Sequence, residues 1–529
     1  MSPVTTTSGL TSGTVERVGT TTVRLATNGS GPPDAAAVVV GIACDADGVL
    51  PLAGHGPVGW HLAGVQAIAA LLGCRGREGE LQLAPSGGTV PAPLLVLVGL
   101  GRRDAPVRAG HEVIRRAAGT AIRALRAPLR GFGPADVVFH LADALPGLDP
   151  AAGVEAVTEG ALLGGYHFDE YRQHSREPGL GDVTVHVFTP EHEDRALPAS
   201  VRRSSVVAEH VVLARDLVNT PAADLTPAAF AELVQRDSGD LGVEVLDHDA
   251  LIEHGFGAIV GVGQGSVNPP RLVRVTYSPS AVSEPLRVAL IGKGITFDSG
   301  GLDLKQNDSM AAMYSDMAGA AAVYATVRAA ARLQLPVAVT AWLPLAENMP
   351  SGGALRPSDV LRSYDGRTVE VGSPDAEGRL VLGDAIGRAV QDEPDVVIDI
   401  ATLTGAHTTS MGPGATAVMA NDDRLRQVIV AAGEASGEFC WPMPLPADLR
   451  PKLDSRIADL RNSGGRSGAL ALGGLYLREF VPAGIRWAHL DIGGAQLAEE
   501  AFGYTPAGAT GVGVRTLVRT LETLPGDAV

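Results

Sequence analysis

Seven charged residues between Lys293 and Arg379 could do chemistry together: Lys293, Asp298, Lys305, Asp316, Asp375, Glu377 and Arg379. The window opens with Val288-Ala-Leu-Ile-Gly-Lys-Gly-Ile-Thr-Phe-Asp298-Ser-Gly-Gly and closes with Ser373-Pro-Asp-Ala-Glu-Gly-Arg379. Carboxylates in such glycine-rich, apolar sequence are costly unless something positive neutralises them. Two cations held by shared carboxylates would do so, and a two-metal site is also a catalyst of hydrolysis. Oxygen ligands suit Mg²⁺, Mn²⁺ or Zn²⁺, and spacing does not choose among them. Lys293 would bind a metal only as a neutral amine, so its pKa is expected to be lowered. Taken singly, each residue has a plainer reading: Lys293 paired with Asp298, acids on a solvated face, Arg379 paired with a neighbouring acid. The set carries the argument, not any member.

Several elements must position these groups. Asp298 follows a run rich in Val, Leu and Ile, and sites in open α/β sheets gather beyond the C-terminal strand ends. Ser299-Gly-Gly301 lets the backbone turn tightly. Asp316 is expected early on a long helix over 311–333. Asp375 and Glu377 would not share a helix face, but in an extended or turn segment they can point the same way. A helix is then expected to start after Gly378.

The wider pattern is β-α alternation. Strands are expected at 36–42, 94–100, 135–141 and 183–188, with helices at 107–125 and 151–171. Four arginines, Arg115, Arg116, Arg123 and Arg126, form a stripe read as a solvated helix face. Pro190 to Pro198 reads as a linker. Beyond it, strands are expected at 271–277, 286–297, 336–345, 395–401 and 487–492. Helices are expected at 226–236, with Thr226 as N-cap, and at 311–333, 380–391 and 423–436. The fold class is therefore α/β with two domains, the larger having a mostly parallel central sheet flanked by helices. The division is a mobile N-terminus over 1–20, a smaller N-terminal α/β domain over 21–195, and a catalytic C-terminal domain over 196–529.

Composition sets outer limits. A chain of 529 residues is too long for one core. Aromatics are few, so Ala, Val and Leu must build the interior. The net charge of −17 disfavours general binding to a phosphate backbone. Three cysteines, Cys44, Cys74 and Cys440, show no metal or disulfide spacing. The polar N-terminus lacks a signal-peptide layout, and no apolar run is long enough to span a bilayer. A cytoplasmic location is expected, with no membrane partner.

The blocks Gly292 to Gly301, Lys305, Asp316-Met317 and Asp375-Ala-Glu-Gly-Arg-Leu380 resemble the leucyl aminopeptidase family of dinuclear metallo-exopeptidases. Glu347-Asn-Met-Pro350, Ala401-Thr-Leu-Thr-Gly405, Ser463-Gly-Gly-Arg466 and Trp487-Ala-His-Leu-Asp491 add to it. The resemblance covers about 205–520 and extends more weakly to Glu159–Tyr166 and Phe168. It implies two divalent ions per chain, Mn²⁺ or Zn²⁺. One would be held by Asp298, Asp375 and Glu377, the other by Lys293, Asp298, Asp316 and Glu377. Lys305 would be the electrophilic catalyst and Arg379 would hold a bicarbonate. Met313, Thr402 and Gly405 would line the pocket for a Leu-like first residue. Peptides with a free N-terminus would be the substrates, and a homohexamer the assembly. The chain departs from the family at Ser373-Pro374, where Asn-Thr is usual, and at Tyr314-Ser315, where a basic residue is common. Asp303 also lies in the Lys305 loop.

Two other readings have less in their favour. A dinuclear hydrolase of another bond, such as a phosphoester, lacks a phosphate loop, since Gly261-Val-Gly-Gln-Gly265 is not followed by Lys-Ser/Thr. A nucleic-acid-binding role for the N-terminal domain conflicts with the acidic charge. His407 and His489 lack HxxxH spacing, and His489 reads as a core histidine.

Overall fold

Runs of Val, Ile, Leu and Ala form the strands of two large sheets. The computed structural model describes residues 15–26, 34–45, 48–52, 60–102, 107–129, 133–145, 147–175, 181–190 and 194–527; for 45, 48–52, 107–110, 307, 308 and 527 it describes only the backbone. The chain divides into two compact units, one of residues 1–208 and 501–505, the other of 209–500 and 506–529. Most of the expected mobile segment, 1–14, lies outside the described residues, as do 191–193 of the expected linker.

The first unit holds strands β1 (Val15–Val18), β2 (Thr21–Leu25), β3 (Ala37–Asp45), β4 (Gly48–Leu52), β5 (Leu81–Pro85), β6 (Leu94–Arg102), β7 (Ala135–His140) and β8 (Val183–Val187). They are ordered β1-β2-β8-β7-β3-β6-β5, with β4 beside β3. Pairing is parallel from β2 through β6 and antiparallel at both ends. Helix α1 (Val107–Ala124) packs against α2 (Pro150–Gly164). Here α2 stops at Gly164, short of the expected Tyr171, because Gly164-Gly165 does not favour continued helix. The arginine stripe of α1 is not a solvated face. Arg115 is buried and pairs with Glu112 and Glu159, and Arg116 pairs with Glu112 and Glu78. Arg126 donates to the carbonyls of Gly165 and Tyr166, just past the end of α2, where a cation suits the helix dipole. Helix spacing showed the stripe, but not the acids that meet it. Helix α3 (Leu197–Asn219) starts within the expected linker.

In the second unit, α4 (Pro227–Asp237) begins as the sequence suggests, with Thr226 accepting from the Ala229 amide. The sheet contains β9 (Gly242–Leu246), β10 (Arg271–Tyr277), β11 (Leu286–Gly292), β12 (Gly294–Asp298), β13 (Val337–Asn348), β14 (Val396–Ala401), β15 (Ala415–Ala420), β16 (Phe439–Pro442) and β17 (Arg486–Asp491). Its order is β16-β15-β17-β14-β11-β13-β10-β9, with β12 beside β13. The centre is parallel, where β11 pairs with β13 and β14, and β14 with β17. The pairs β9–β10, β10–β13 and β15–β17 are antiparallel. The short strands β9, β15 and β16 escaped the sequence pattern.

Two corrections bear on the site. The strand expected over 286–297 is broken at Lys293: β11 pairs with both β13 and β14, whereas β12 pairs only with β13, in the same register until a bulge between Ile295 and Phe297. The helix expected from 311 begins only at Ala318, as α5 (Ala318–Leu333). A 3₁₀ turn over Met313–Ser315 precedes it. The Ala320 amide, one of the orphan donors of the first turn of α5, finds the Lys293 carbonyl at 2.8 Å. Helix α5 is rich in Ala and buried, and it packs on β11, β13 and β14. Helices α6 (Glu377–Ala389) and α7 (Asp423–Ser436) also belong to this unit.

Asp384 shows how α6 is anchored. It is fully buried and accepts from the amides of Ala258 (2.9 Å), Ile259 (3.0 Å) and Tyr364 (2.8 Å). Burial pushes its pKa up to about 7, opposed by those three donors. Asp384→Ala strips all three amides of their acceptor, at about 1–3 kcal/mol for each group left unpaired. Thermal melts should show a marked fall in Tm, with part of it recovered in Asp384→Asn, which keeps one acceptor oxygen.

Candidate metal centre

Asp298 ends β12, and the chain reverses through Gly300 and Gly301, both at positive φ (+84° and +62°). The reversal is closed by the Lys305 amide donating to the Ser299 carbonyl at 2.9 Å. Lys305 is thereby returned to Asp298, with Nζ 2.7 Å from Oδ2, and it also pairs with Asp375. Asp298 Oδ1 accepts from the Gly300 amide (2.9 Å) and from Asn348 Nδ2 (2.8 Å).

Lys293 sits at the break between β11 and β12 and is buried. Its Nζ lies 2.8 Å from both Asp316 Oδ2 and Glu377 Oε1, and donates to the Thr402 carbonyl at 3.0 Å. Asp316 is not on the helix, as expected, but in the bend between the 3₁₀ turn and α5; Thr402 Oγ1 donates to its Oδ1 at 2.6 Å. The helix expected after Gly378 starts instead at Glu377, with Asp375 outside it. That break in the backbone lets acids two residues apart reach one cluster. Gly378 is required for a separate reason: a Cβ there would lie 2.5 Å from Lys293 Cε.

The structure thus brings Lys293, Asp298, Lys305, Asp316, Asp375 and Glu377 together, and oxygens of Asp298, Asp375 and Glu377 lie within 4.8 Å of one another. All six, with Arg379, Met313, Thr402 and Gly405, line one cavity of about 1240 Å³. Four carboxylates face two ammonium groups. Burial raises the pKa of Asp298, and pushes Asp316 up to about 8 and Asp375 up to about 6. Glu377 is instead held low: burial works against its charge, but Lys293 and Lys305 overcome it. For Lys293, burial likewise opposes the charge, yet Asp316, Glu377 and Asp298 outweigh it and raise the pKa. This reverses the sequence expectation of a lowered value, which presupposed cations beside the amine. Glu377 Oε2 is buried with no hydrogen-bond partner. An acceptor-only oxygen so placed, among surplus carboxylates, fits a divalent cation.

Arg379 is buried, and burial lowers its pKa. It forms no ion pair among the described residues; its Nη1 donates to the Asn462 carbonyl at 2.8 Å, and its Nε has no partner.

Three supporting residues were given no role from sequence. Asn348 steadies Asp298, as above. Asn462 binds the Gly372–Ala376 turn. Asp491 accepts from the Leu403 amide (3.1 Å), the Gly493 amide (3.0 Å) and Thr404 Oγ1 (2.8 Å), fixing the loop that carries Thr402. Their only sequence signal was position within or beside the shorter family-like blocks. His489 is buried, as expected for a core histidine, with Nδ1 2.5 Å from Asp399.

Comparison with known proteins agrees with this geometry. Residues 212–518 match the catalytic-domain model of the cytosol aminopeptidase family, and 61–175 its N-terminal-domain model. The chain belongs to the cytosol aminopeptidase family. It is a metal-dependent aminopeptidase, a hydrolase with two α/β domains. A relative named "Probable cytosol aminopeptidase" from Streptomyces griseus is 47% identical, covering 96% of this chain and 99% of the relative. The corresponding Micrococcus luteus protein is also 47% identical, over 92% and 96% of the two chains. Among solved structures, the bottromycin maturation enzyme BotP matches with a TM-score of 0.79 at 39% identity, over 93% of this chain and 100% of that one. A second BotP structure is a complex with Mn. A tomato leucine aminopeptidase matches with a TM-score of 0.79 at 26% identity, over 96% and 97%.

If the raised carboxylates of Asp316 and Asp375 are ligands, metal binding by this aminopeptidase displaces their protons. Apparent affinity for Mn²⁺ should then fall as pH drops through about 8 to 6, the window of Asp316 and Asp375, and go on rising above it, where Lys293, with its raised pKa, must lose a proton to act as a ligand. Calorimetric titrations in buffers of different ionisation enthalpy should show proton release on binding, largest at the lower pH.

Proposed function

We propose that the enzyme releases N-terminal amino acids, with a Leu-like preference, from peptides, using two divalent ions per chain, Mn²⁺ or Zn²⁺. The observation that carries this is the convergence of Lys293, Asp298, Asp316, Asp375 and Glu377 on one cavity, with more negative than positive charge among them. Asp298, Asp375 and Glu377 hold one ion in this reading; Lys293, Asp298, Asp316 and Glu377 hold the other. When bound, the ions supply Lewis acidity: they acidify a water, polarise the scissile carbonyl and receive the free α-amine.

Lys305 is the electrophilic residue. It reaches the cluster from the end of the Gly300-Gly301 reversal, and its ammonium stabilises charge that develops as the carbonyl becomes tetrahedral. Arg379 holds a bicarbonate that acts as general base. The support is a buried planar fork with an unpartnered Nε on the cavity wall. Met313, Thr402 and Gly405 form the pocket for the first side chain, an adaptable apolar wall at Met313 suiting Leu or Met. Thr402 also orients Asp316 and Lys293, so its substitution should disturb more than specificity. The family further supports a homohexamer, which light scattering at micromolar concentration would report, and a cytoplasmic location. No helix among the described residues is long and apolar enough to cross a membrane.

A free α-amine should be required: Leu amides are cleaved and their N-acetylated forms are not, and equal rates on both would defeat the exopeptidase reading. Lys305→Ala and Arg379→Ala should retain metal by elemental analysis but lose about 10²–10³ in kcat with little change in KM, as for a lost oxyanion donor. Added bicarbonate should stimulate the wild type more than Arg379→Ala.

A further inference from the structure

The turn Gly372–Ala376, which delivers Asp375 and Glu377, is held chiefly by one side chain that does not line the cavity. Asn462 follows the short strand Leu460–Arg461, which pairs with Thr368–Glu370, and it is fully buried. Its Oδ1 accepts from the amides of Gly372 (2.7 Å) and Ser373 (3.2 Å). Its Nδ2 donates to the carbonyls of Ser373 (2.8 Å) and Ala376 (3.2 Å). A carboxamide has two donors and an acceptor oxygen with two lone pairs, so its capacity is fully used. The partners also fix the orientation, since a flipped amide would set its oxygen against two carbonyls.

The backbone of the same residue extends the hold. Its amide donates to the Glu370 carbonyl (3.1 Å), and its carbonyl accepts from Arg379 Nη1 (2.8 Å). Asn348 adds one bond to the turn, from Nδ2 to the Pro374 carbonyl at 3.1 Å. Gly372 allows the close approach, because a Cβ there would clash with Ser463 Oγ. One buried residue therefore ties together the turn bearing two acids and the guanidinium on the cavity wall.

We propose that Asn462 is a positioning residue of the metal centre, setting the Asp375–Glu377 turn and Arg379 in register without touching metal or substrate. This rests on the reading of Asp375 and Glu377 as ligands. Asn462→Ala leaves the Gly372 and Ser373 amides of a half-buried turn without their acceptor and takes one donor from each of the Ser373 and Ala376 carbonyls, the former keeping the Ala376 amide, so the turn must relax. Asn462→Asp keeps both acceptor contacts and loses both donors, placing a carboxylate against two carbonyls. Loss of an outer partner of this kind costs about 10–100-fold in metal affinity or activity.

The test uses the full-length chain as wild type, Asn462→Ala, Asn462→Asp and Asp375→Asn, each stripped of metal and passed through size exclusion to isolate folded protein. Mn²⁺ titration, thermal melts and kcat as a function of Mn²⁺ are measured on the same preparations. The expected result is Mn²⁺ binding about 10–100-fold weaker in both Asn462 variants, with kcat partly restored at saturating Mn²⁺. If Asn462→Ala yields no folded protein, Asn462→Asp carries the test. Wild-type Mn²⁺ affinity in the folded Asn462 variants, with only Tm lowered, would overturn the proposal and leave Asn462 a fold-stabilising residue. Asp375→Asn separates the two levels: if it binds Mn²⁺ as the wild type does, the ligand reading fails; if it is impaired while the Asn462 variants are not, only the positioning role fails.

Discussion

Surplus buried negative charge is the constraint around which the second unit is arranged. Asp298, Asp316 and Glu377 are almost wholly buried, with only Lys293 and Lys305 as cationic partners among the described residues and Asp375 at the exposed edge. Bringing charges out of water is costly, and attraction repays that cost only when geometry and additional hydrogen bonds are good. The fold meets this condition through fixed donors: the Gly300 amide and Asn348 on Asp298, and Thr402 on Asp316. Glu377 Oε2 is left without one. The protons drawn to Asp316 and Asp375 reflect the same imbalance. The site is thus built to take up positive charge.

Such a cluster forms only if its backbone segments approach closely, and glycines at particular contacts permit it. Gly292 and Gly319 meet where α5 comes down on the end of β11; a Cβ on Gly292 would clash with the Gly319 carbonyl, and one on Gly319 with the Ile400 carbonyl. This contact brings the bend containing Asp316 against Lys293, and it is sealed by the Ala320 amide on the Lys293 carbonyl. The low aromatic content has the same logic: an Ala-rich α5 lies close to β11, β13 and β14, and rigid helix packing sets the side chains above the strand ends.

Polar residues behind the cavity wall convert that packing into precise placement. Asp491 holds the loop whose Thr402 carbonyl accepts from Lys293, and Asn462 holds the turn that carries Asp375. At Ser373-Pro374 both residues are engaged: Ser373 Oγ donates to Asp303 at 2.6 Å, and the Pro374 carbonyl accepts from Asn348. Asp303 therefore links the Lys305 loop to the Asp375 turn, as Lys305 itself does by pairing with Asp298 and Asp375.

The sequence by itself determined the α/β class, the central strands β10, β11, β13, β14 and β17, and the charged set at the site. Those rest on local quantities: runs of Val, Ile and Leu with helix-length spacers, and carboxylates and lysines too concentrated in apolar sequence to be left unpaired. Tertiary structure alone decided where elements break. The break at Lys293 falls where pairing with β14 ends and only pairing with β13 continues, and α5 starts only at Ala318, with its Ala320 amide taken by the distant Lys293 carbonyl. It also set the direction of the Lys293 pKa, raised because Asp316, Glu377 and Asp298 outweigh burial when no cation is bound. The arginine stripe of α1 and the role of Asn462 were illegible for the same reason. A hydrogen bond or ion pair between distant segments leaves no periodic trace in either one.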